Sequence, residues 1–460
     1  MDIEQVNKEI EGVEASGRNI PVRVKDITTY RSAEDIISQP TYGLTPEPEK
    51  LIISVTAEYL SINGTINGKK HCFHEECFWA SKQQEIVGSL DNLYSAVKNF
   101  REAHSSYLNN INSKDLLSRL EDSNNDQIYD WDNCTDSTQL EDQEMWRQVE
   151  KSKELRNLVY YGHELYEDFF PQDSKLYILL KSLKPGTIIE INWLLNSKLS
   201  WRSHVPWGLM FQQPVPDVGQ PINPLGFIGL RYRMEYIAHN PDGKPEALGS
   251  LNKSNRVHYL YWGKKETEIA VEAEWLRTTL FSKWPNQKFI PHHDSTNQKN
   301  DLLNSLKSPT PNPVNLLYLY CVCDVGQGNT PILRFGDNNG SSNIVRQTDM
   351  SQEEFLERPL VFANACTTLA SSPNMANNLE KTFFKRGCAA YLGTESEVPI
   401  ILASRFAIVF FHFFYRTVNP KKVVAGEAVV QTRLFFWQHY KNIGGLFYSY
   451  VGPYGLYIDS

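Results

Sequence analysis

From residue 154 onward the sequence alternates between strand-like and helix-like segments, and this alternation limits the available folds more than any other feature. A helical pattern over residues 154–169 stops at Pro171. Strand-like residues 187–193 follow, then the apolar turn Val205-Pro206-Trp207-Gly208-Leu209-Met210. Strand patterns at 256–262, 288–290, 314–321, 359–365 and 388–392 are separated by helical patterns at 269–281, 296–306 and 374–385. Helical segments 402–414 and 425–440 and an aromatic strand at 446–451 complete the series. Such a series predicts an α/β fold: right-handed crossovers and a mostly parallel central sheet with helices on both faces.

One of these strands carries a candidate for chemistry. Leu360-Val361-Phe362-Ala363-Asn364-Ala365-Cys366-Thr367-Thr368 is an apolar run that ends in a single cysteine followed by small and polar residues. A buried parallel strand that delivers a thiol to its carboxyl end has this form. In open α/β sheets, ligands and chemistry gather outside those ends. Cys366 is therefore a candidate nucleophile.

The first 150 residues differ in character and are read as an α+β extension, a sensor or a partner-binding element, ahead of a domain at 151–460. Residues 1–48 are polar, with scattered prolines. Residues 51–62 have a strand pattern, with turn signals at Asn63-Gly64 and Asn67-Gly68. Leu90, Leu93, Val97 and Phe100 recur at helical spacing between residues 86 and 120. Residues 121–144 hold nine acids and no lysine or arginine, which predicts a solvated loop. Asp130, Asp132, Asp136 and Glu141 fit part of a calcium-loop frame. Thr135 replaces the required glycine and Cys134 an expected ligand, so a plain acidic loop is the better reading. His71-Cys72-Phe73-His74-Glu75-Glu76-Cys77 contains metal-ligand residue types, but their spacing matches no zinc pattern.

Composition excludes several classes. Basic residues number 46 and acidic ones 54, a net charge of -8, so no general attraction to nucleic acid or anionic membrane is expected. No stretch approaches the ~20 apolar residues of a membrane span. The acidic, polar start is unlike a secretory signal. The seven cysteines are spread thinly, which favours a reducing cytoplasm over a disulfide framework. No cofactor motif stands out; Asp324-Val325-Gly326-Gln327-Gly328-Asn329 lacks the lysine and hydroxyl residue of a phosphate loop and reads as a flexible loop.

Six landmarks in order resemble a CHAT domain, the caspase-like module related to caspases and separases. They are Tyr161-Gly162-His163-Glu164-Leu165-Tyr166 through Pro171, His204 through Met210, Glu272-Ala273-Glu274-Trp275-Leu276, residues 316–323, Asn364-Ala365-Cys366, and Arg386-Gly387-Cys388-Ala389-Ala390-Tyr391-Leu392-Gly393-Thr394. Together they span about two-thirds of the chain. The resemblance implies a caspase-like sheet and a cytoplasmic bacterial cysteine peptidase of a defence or conflict system, acting on a protein or peptide. Cys366 would be the nucleophile, with a histidine base from the neighbouring strand. That histidine position falls on Val322, in Tyr320-Cys321-Val322-Cys323-Asp324. A valine cannot take a proton, so the resemblance also implies a second reading, an inactive module that binds protein partners as a scaffold or regulator. Relatives of this kind dimerise through a terminal strand, so a homodimer through residues 446–451 is expected.

Other groups could enter the same cleft. His292 and His293 follow strand 288–290, at about 14 Å from Cys366 by strand spacing; His204 is a further substitute base, and His412 reads as a core residue. Cys321, Cys323, Asp324 and Cys366 together open a weaker reading, a metal or redox sensor, against Cys321 as a core residue and Cys323 as a loop thiol. Ala365 lines the strand end. Asp324, Glu395 and Glu397 are expected at the rim, where acids would either select a basic side chain or remain solvated.

Overall fold

The computed structural model describes residues 49–55, 59–76, 82–122, 140–193, 205–238, 250–251, 256–261, 272, 274–276, 278, 288–291, 299–300, 302–303, 314–325, 331–335, 344–350, 358–365, 368, 379–415, 417–418, 421–453 and 455–458. The arm at 1–48, most of the acidic tract, His204, His292, His293 and Cys366 lie outside the described residues.

The chain forms a mixed α/β fold with two main sheets. The first has the order β3-β2-β1-β4-β5. Its strands are β1 (Lys50–Val55), β2 (Tyr59–Ile66), β3 (Lys69–Glu76), β4 (Ile188–Trp193) and β5 (Arg233–Ala238). β1, β2 and β3 form an antiparallel meander, while β1 pairs parallel with β4 and β4 with β5. Segments from either side of residue 150 thus share one sheet. Of the two expected turns, only Asn67-Gly68 forms; both residues have positive φ, at 50° and 71°. These are the dihedrals of a tight hairpin turn, and asparagine and glycine tolerate them. Asn63-Gly64 instead sits inside β2. There a Cβ on Gly64 would lie 2.5 Å from the Lys50 carbonyl oxygen, so the glycine serves a close strand approach and not a turn.

Helices α1 (Gln83–Ala103), α2 (Ser113–Asp122), α3 (Leu140–Glu150), α4 (Lys153–Phe169) and α5 (Lys175–Ser182) lie between β3 and β4 in sequence. The long helix expected at 86–120 is broken by a turn at His104 and a non-helical stretch at 109–112. The acidic tract ends earlier than expected, because α3 begins at Leu140. Ser152 and Ser174 cap α4 and α5 by accepting from the Leu155 and Tyr177 amides.

Short strand β6 (Ser250–Leu251) precedes the second sheet, whose parallel core is β7 (Arg256–Tyr261), β8 (Lys288–Pro291), β9 (Val314–Val325), β12 (Leu360–Ala365) and β13 (Ala390–Thr394). Pairing runs β8-β7-β9-β12-β13, every pair parallel, and the antiparallel strand β16 (Tyr448–Val451) closes the far side. β10 (Pro331–Arg334) and β11 (Ile344–Arg346) extend the end of β9 as antiparallel strands. Small pairs β14 (Thr417–Val418) with β15 (Lys421–Lys422), and β17 (Tyr457–Ile458) with β6, complete the strands.

Helices α6 (Leu379–Lys385), α7 (Ile400–Phe414) and α8 (Ala425–Tyr440) cover the second sheet and its join to the first. All six residues of β12 are buried, as an uninterrupted apolar run requires. α7 is apolar nearly all round and is buried to match. Phe362 lies under it, with ring centroids 5.4 Å from Phe410 and 5.7 Å from Phe411.

The terminal strand is not the open edge expected of it. All four residues of β16 are buried, and β16 packs against β5 at the junction of the two sheets. Buried Arg433 of α8 donates to the carbonyls of Gly229 and Tyr448 across this junction. β16 therefore lies within the packed junction of the two sheets. Among the described residues, no helix is long and apolar enough to cross a membrane.

Candidate functional site

The site forms where β9, β12 and β13 end, and register determines which residues meet there. β12 pairs with β9 from Leu360 opposite Leu316 to Ala365 opposite Cys321. The residues that follow Ala365 and Cys321 in sequence are Cys366 and Val322. β9 does not stop at Cys321 as expected. It continues to Val325, and β10 folds back on it, setting Arg334 opposite Val322 and Leu333 opposite Cys323. Cys323 and Asp324 are therefore strand residues and not loop residues. Cys321 is buried and Cys323 half-buried, and both are free thiols. Among the described residues, no three histidines, cysteines or acids lie close enough together to hold a metal ion.

The segment after β12 is pinned by two threonines that sequence reasoning did not single out. Thr394, the last residue of β13, donates its hydroxyl to the Ala365 carbonyl. Thr368 donates to the Ala363 carbonyl at 3.2 Å and accepts from the Thr394 amide at 2.9 Å. Thr368 is thus tied to β13 on one side and to β12 on the other. Thr394 closes the Ala390-Tyr391-Leu392-Gly393-Thr394 run, and its hydroxyl at a buried strand end was the available signal.

Within β12, Asn364 joins three elements. Its amide donates to Tyr318 Oη at 2.9 Å and to the Ala403 carbonyl at 3.0 Å, and its oxygen accepts from Tyr448 Oη at 2.7 Å. Tyr318 in turn donates to the fully buried Glu272 carboxylate at 2.5 Å. A buried polar chain of this kind fixes register, because each member loses its partner if a strand slips.

The expected rim acids are engaged elsewhere. Glu395 is completely buried and accepts from Tyr94 of α1 at 3.3 Å. It also lies beside Arg433, whose pKa burial pulls down to about 10 while Glu395 opposes that shift. Glu397 is about half exposed and forms an ion pair with Arg101, two turns further along α1. The expectation of a rim position fails for Glu395, which is buried against α1, whereas Glu397 remains at the surface. Asp324 does lie near the surface, in an ion pair with Arg334 at 2.8 Å. His412 lies in α7, half-buried, with its ring against Phe413. β9, β12 and β13 contain no histidine. Burial raises the Cys388 thiol pKa well above its usual value, so that cysteine is inert.

No known protein family profile matches the sequence. Over 139 residues, 29% of this chain, the sequence is 32% identical to a probable protease of Vitiosangium sp., and the match spans 18% of that protein. Two crystal structures of the Saccharomyces cerevisiae separase–securin complex are similar in shape, each with a TM-score of 0.39, at 10% and 11% identity. They cover 89% of this chain and 30% of the solved one. The chain therefore spans less than a third of each of these proteins, and the shape likeness assigns no activity at that score. The sequence match is a likeness to a probable protease over part of the chain.

Proposed function

We propose that this protein carries a caspase-like cysteine peptidase module in which Cys366 holds the nucleophile position and Val322 stands where the base belongs. The observation that carries the reading is the register of β9 and β12, in which Ala365 faces Cys321 and the next residues are Cys366 and Val322. The partial likeness to a probable protease supports peptide chemistry at family level. In that chemistry the thiolate attacks a peptide carbonyl, the backbone amides near Cys366 hold the oxyanion, and the amine leaves with a proton from the base. Without a base or nearby cation, a thiol keeps a pKa near ~8.5 and only a few per cent is thiolate at neutral pH. The missing assistance is worth ~10²–10⁴-fold. Turnover is slow unless a partner supplies the base.

A second reading is favoured by Val322 itself: the cleft binds a protein or peptide without cleaving it, as a scaffold or regulator. In both readings the ligand is a peptide segment; the place in a defence system rests on the resemblance alone, and the cytoplasm on the resemblance and the sparse cysteines. A soft metal or redox role for Cys321, Cys323, Asp324 and Cys366 ranks below both.

Labelling of Cys366 with a thiol-directed electrophile separates the readings. The wild type is expected to react no faster than a free thiol at pH 7, and Val322→His to react at least about tenfold faster. Fast wild-type labelling together with peptide cleavage that Cys366→Ala abolishes establishes a working peptidase with another base. If Val322→His folds but leaves the rate unchanged, the assignment of the base position is wrong.

A further inference from the structure

Unlike the buried β16, the first strand in the order of the other sheet is exposed. β3, Lys69–Glu76, ends the five-stranded sheet and, among the described residues, pairs only with β2. Lys69, Lys70, Cys72, His74 and Glu76 are exposed. We propose that β3 is a self-recognition surface: two copies of this chain pair β3 with β3 antiparallel, about a twofold axis through Phe73, to make one continuous sheet.

The argument begins with the hairpin. Ile66 and Lys69 close the two-residue turn Asn67-Gly68, so they form a hydrogen-bonded pair. Pairing alternates from there. The amides and carbonyls of Lys69, His71, Phe73 and Glu75 point at β2, and those of Lys70, Cys72, His74 and Glu76 point away from the sheet. A twofold antiparallel partner must match outward residues with outward residues. Of the registers this permits, the one centred on Phe73 uses all four outward residues of the strand. It pairs Lys70 with Glu76 of the second copy, Cys72 with His74, and the reverse. Centring on Cys72 would move Glu76 opposite the turn residue Gly68 and lose a pair.

The side chains favour the same register. Lys70 meets Glu76 twice on the exposed face, and His71 meets Glu75 on the other. Phe73 meets its own copy in a non-hydrogen-bonded pair, where side chains approach most closely. Charges on an edge strand usually block self-pairing, but here the permitted register sets opposite signs against each other. The strand is also held ready. Glu75 accepts from the Lys175 and Leu176 amides at the start of α5, at 2.5 and 3.1 Å. Lys175 Nζ lies 6.0 Å from the centre of the Phe73 ring. Pairing of one edge buries little area, so the dimer is weak and concentration-dependent.

The test uses the full chain in sedimentation equilibrium, with hydrogen exchange read at the same concentrations. The expected result is a monomer–dimer equilibrium in which the amides of Lys70, Cys72, His74 and Glu76 become protected only as dimer forms. His74→Pro removes an outward N–H and no bond to β2, so the variant keeps the wild-type melting temperature and loses the dimer. Glu76→Lys raises the dissociation constant about tenfold, and the swap Lys70→Glu with Glu76→Lys restores it. Phe73→Cys forms an intermolecular disulfide on oxidation, whereas native Cys72 does not cross-link to Cys72. A chain that stays monomeric up to about 1 mM overturns the proposal. So does a dimer that His74→Pro leaves intact. Outward amides protected at every concentration mean that another segment of the same chain covers β3, and that also overturns it.

Discussion

Strands β12 and β3 are built on opposite terms. β12 is buried at all six positions and has a parallel neighbour on each side. β3 is exposed at alternate positions and has a neighbour on one side only among the described residues. In the first, polar groups are rare, internal and fully committed: one asparagine holds Tyr318, Tyr448 and the Ala403 carbonyl. In the second, polar groups are plentiful, and their order along the strand carries the information. Buried polarity fixes where a strand sits within its own fold, whereas exposed polarity determines what can be placed beside it.

If this contrast is right, substitutions around β12 should cost far more than ion-pair changes at the rim. Asn364→Ala leaves two tyrosine hydroxyls and a carbonyl short of partners in the core, and a loss of about 3–5 kcal/mol is expected in denaturant titration. A loss under about 1 kcal/mol would mean that water or repacking replaces the network.

The next effect depends on pH. His439 of α8 accepts from Arg119 Nη1 at 3.2 Å, which requires the neutral ring. Burial, with the Arg119 cation beside it, lowers its pKa from 6.5 to about 4. The folded state therefore binds this proton less readily than the unfolded chain. The contribution is complete above pH 6.5 and is lost as pH falls toward 4, on the order of 3 kcal/mol. His439→Gln should flatten that part of the stability profile, and an unchanged slope would remove His439 as its source. The smallest effect is expected at the rim. Arg101→Ala breaks the ion pair with half-exposed Glu397 and should cost under about 1 kcal/mol, shrinking further in high salt.

The same contrast explains what could be read from the sequence. β12 was legible to within a residue, because a buried parallel strand appears as an unbroken apolar run between polar ends. α7 and α8 were legible for a similar reason. The Asn63-Gly64 signal misled, since glycine serves a close strand approach as readily as a turn, and only Asn67-Gly68 takes positive φ. β9 was read four residues short, because Val322, Cys323 and Asp324 have no pattern of their own and are held by β10. Glu395 was misplaced because Tyr94, which claims it, lies about three hundred residues upstream. Local sequence carries no trace of such a partner. The neighbourhood of Val322 and Cys366 followed from the two strand patterns, and the register sets Ala365 opposite Cys321.

The parallel pairing of β1 with β4 bears on how the protein is made. Lys50 pairs with Ile188, so the opening hairpin has no complete sheet to join until Trp193 has left the ribosome. During synthesis the β1–β3 meander waits with a bare strand on one flank. Removal of β1–β3 would uncover the same flank of β4 in the finished protein. Preparations trimmed near residue 150 are accordingly expected to self-associate through that newly opened flank.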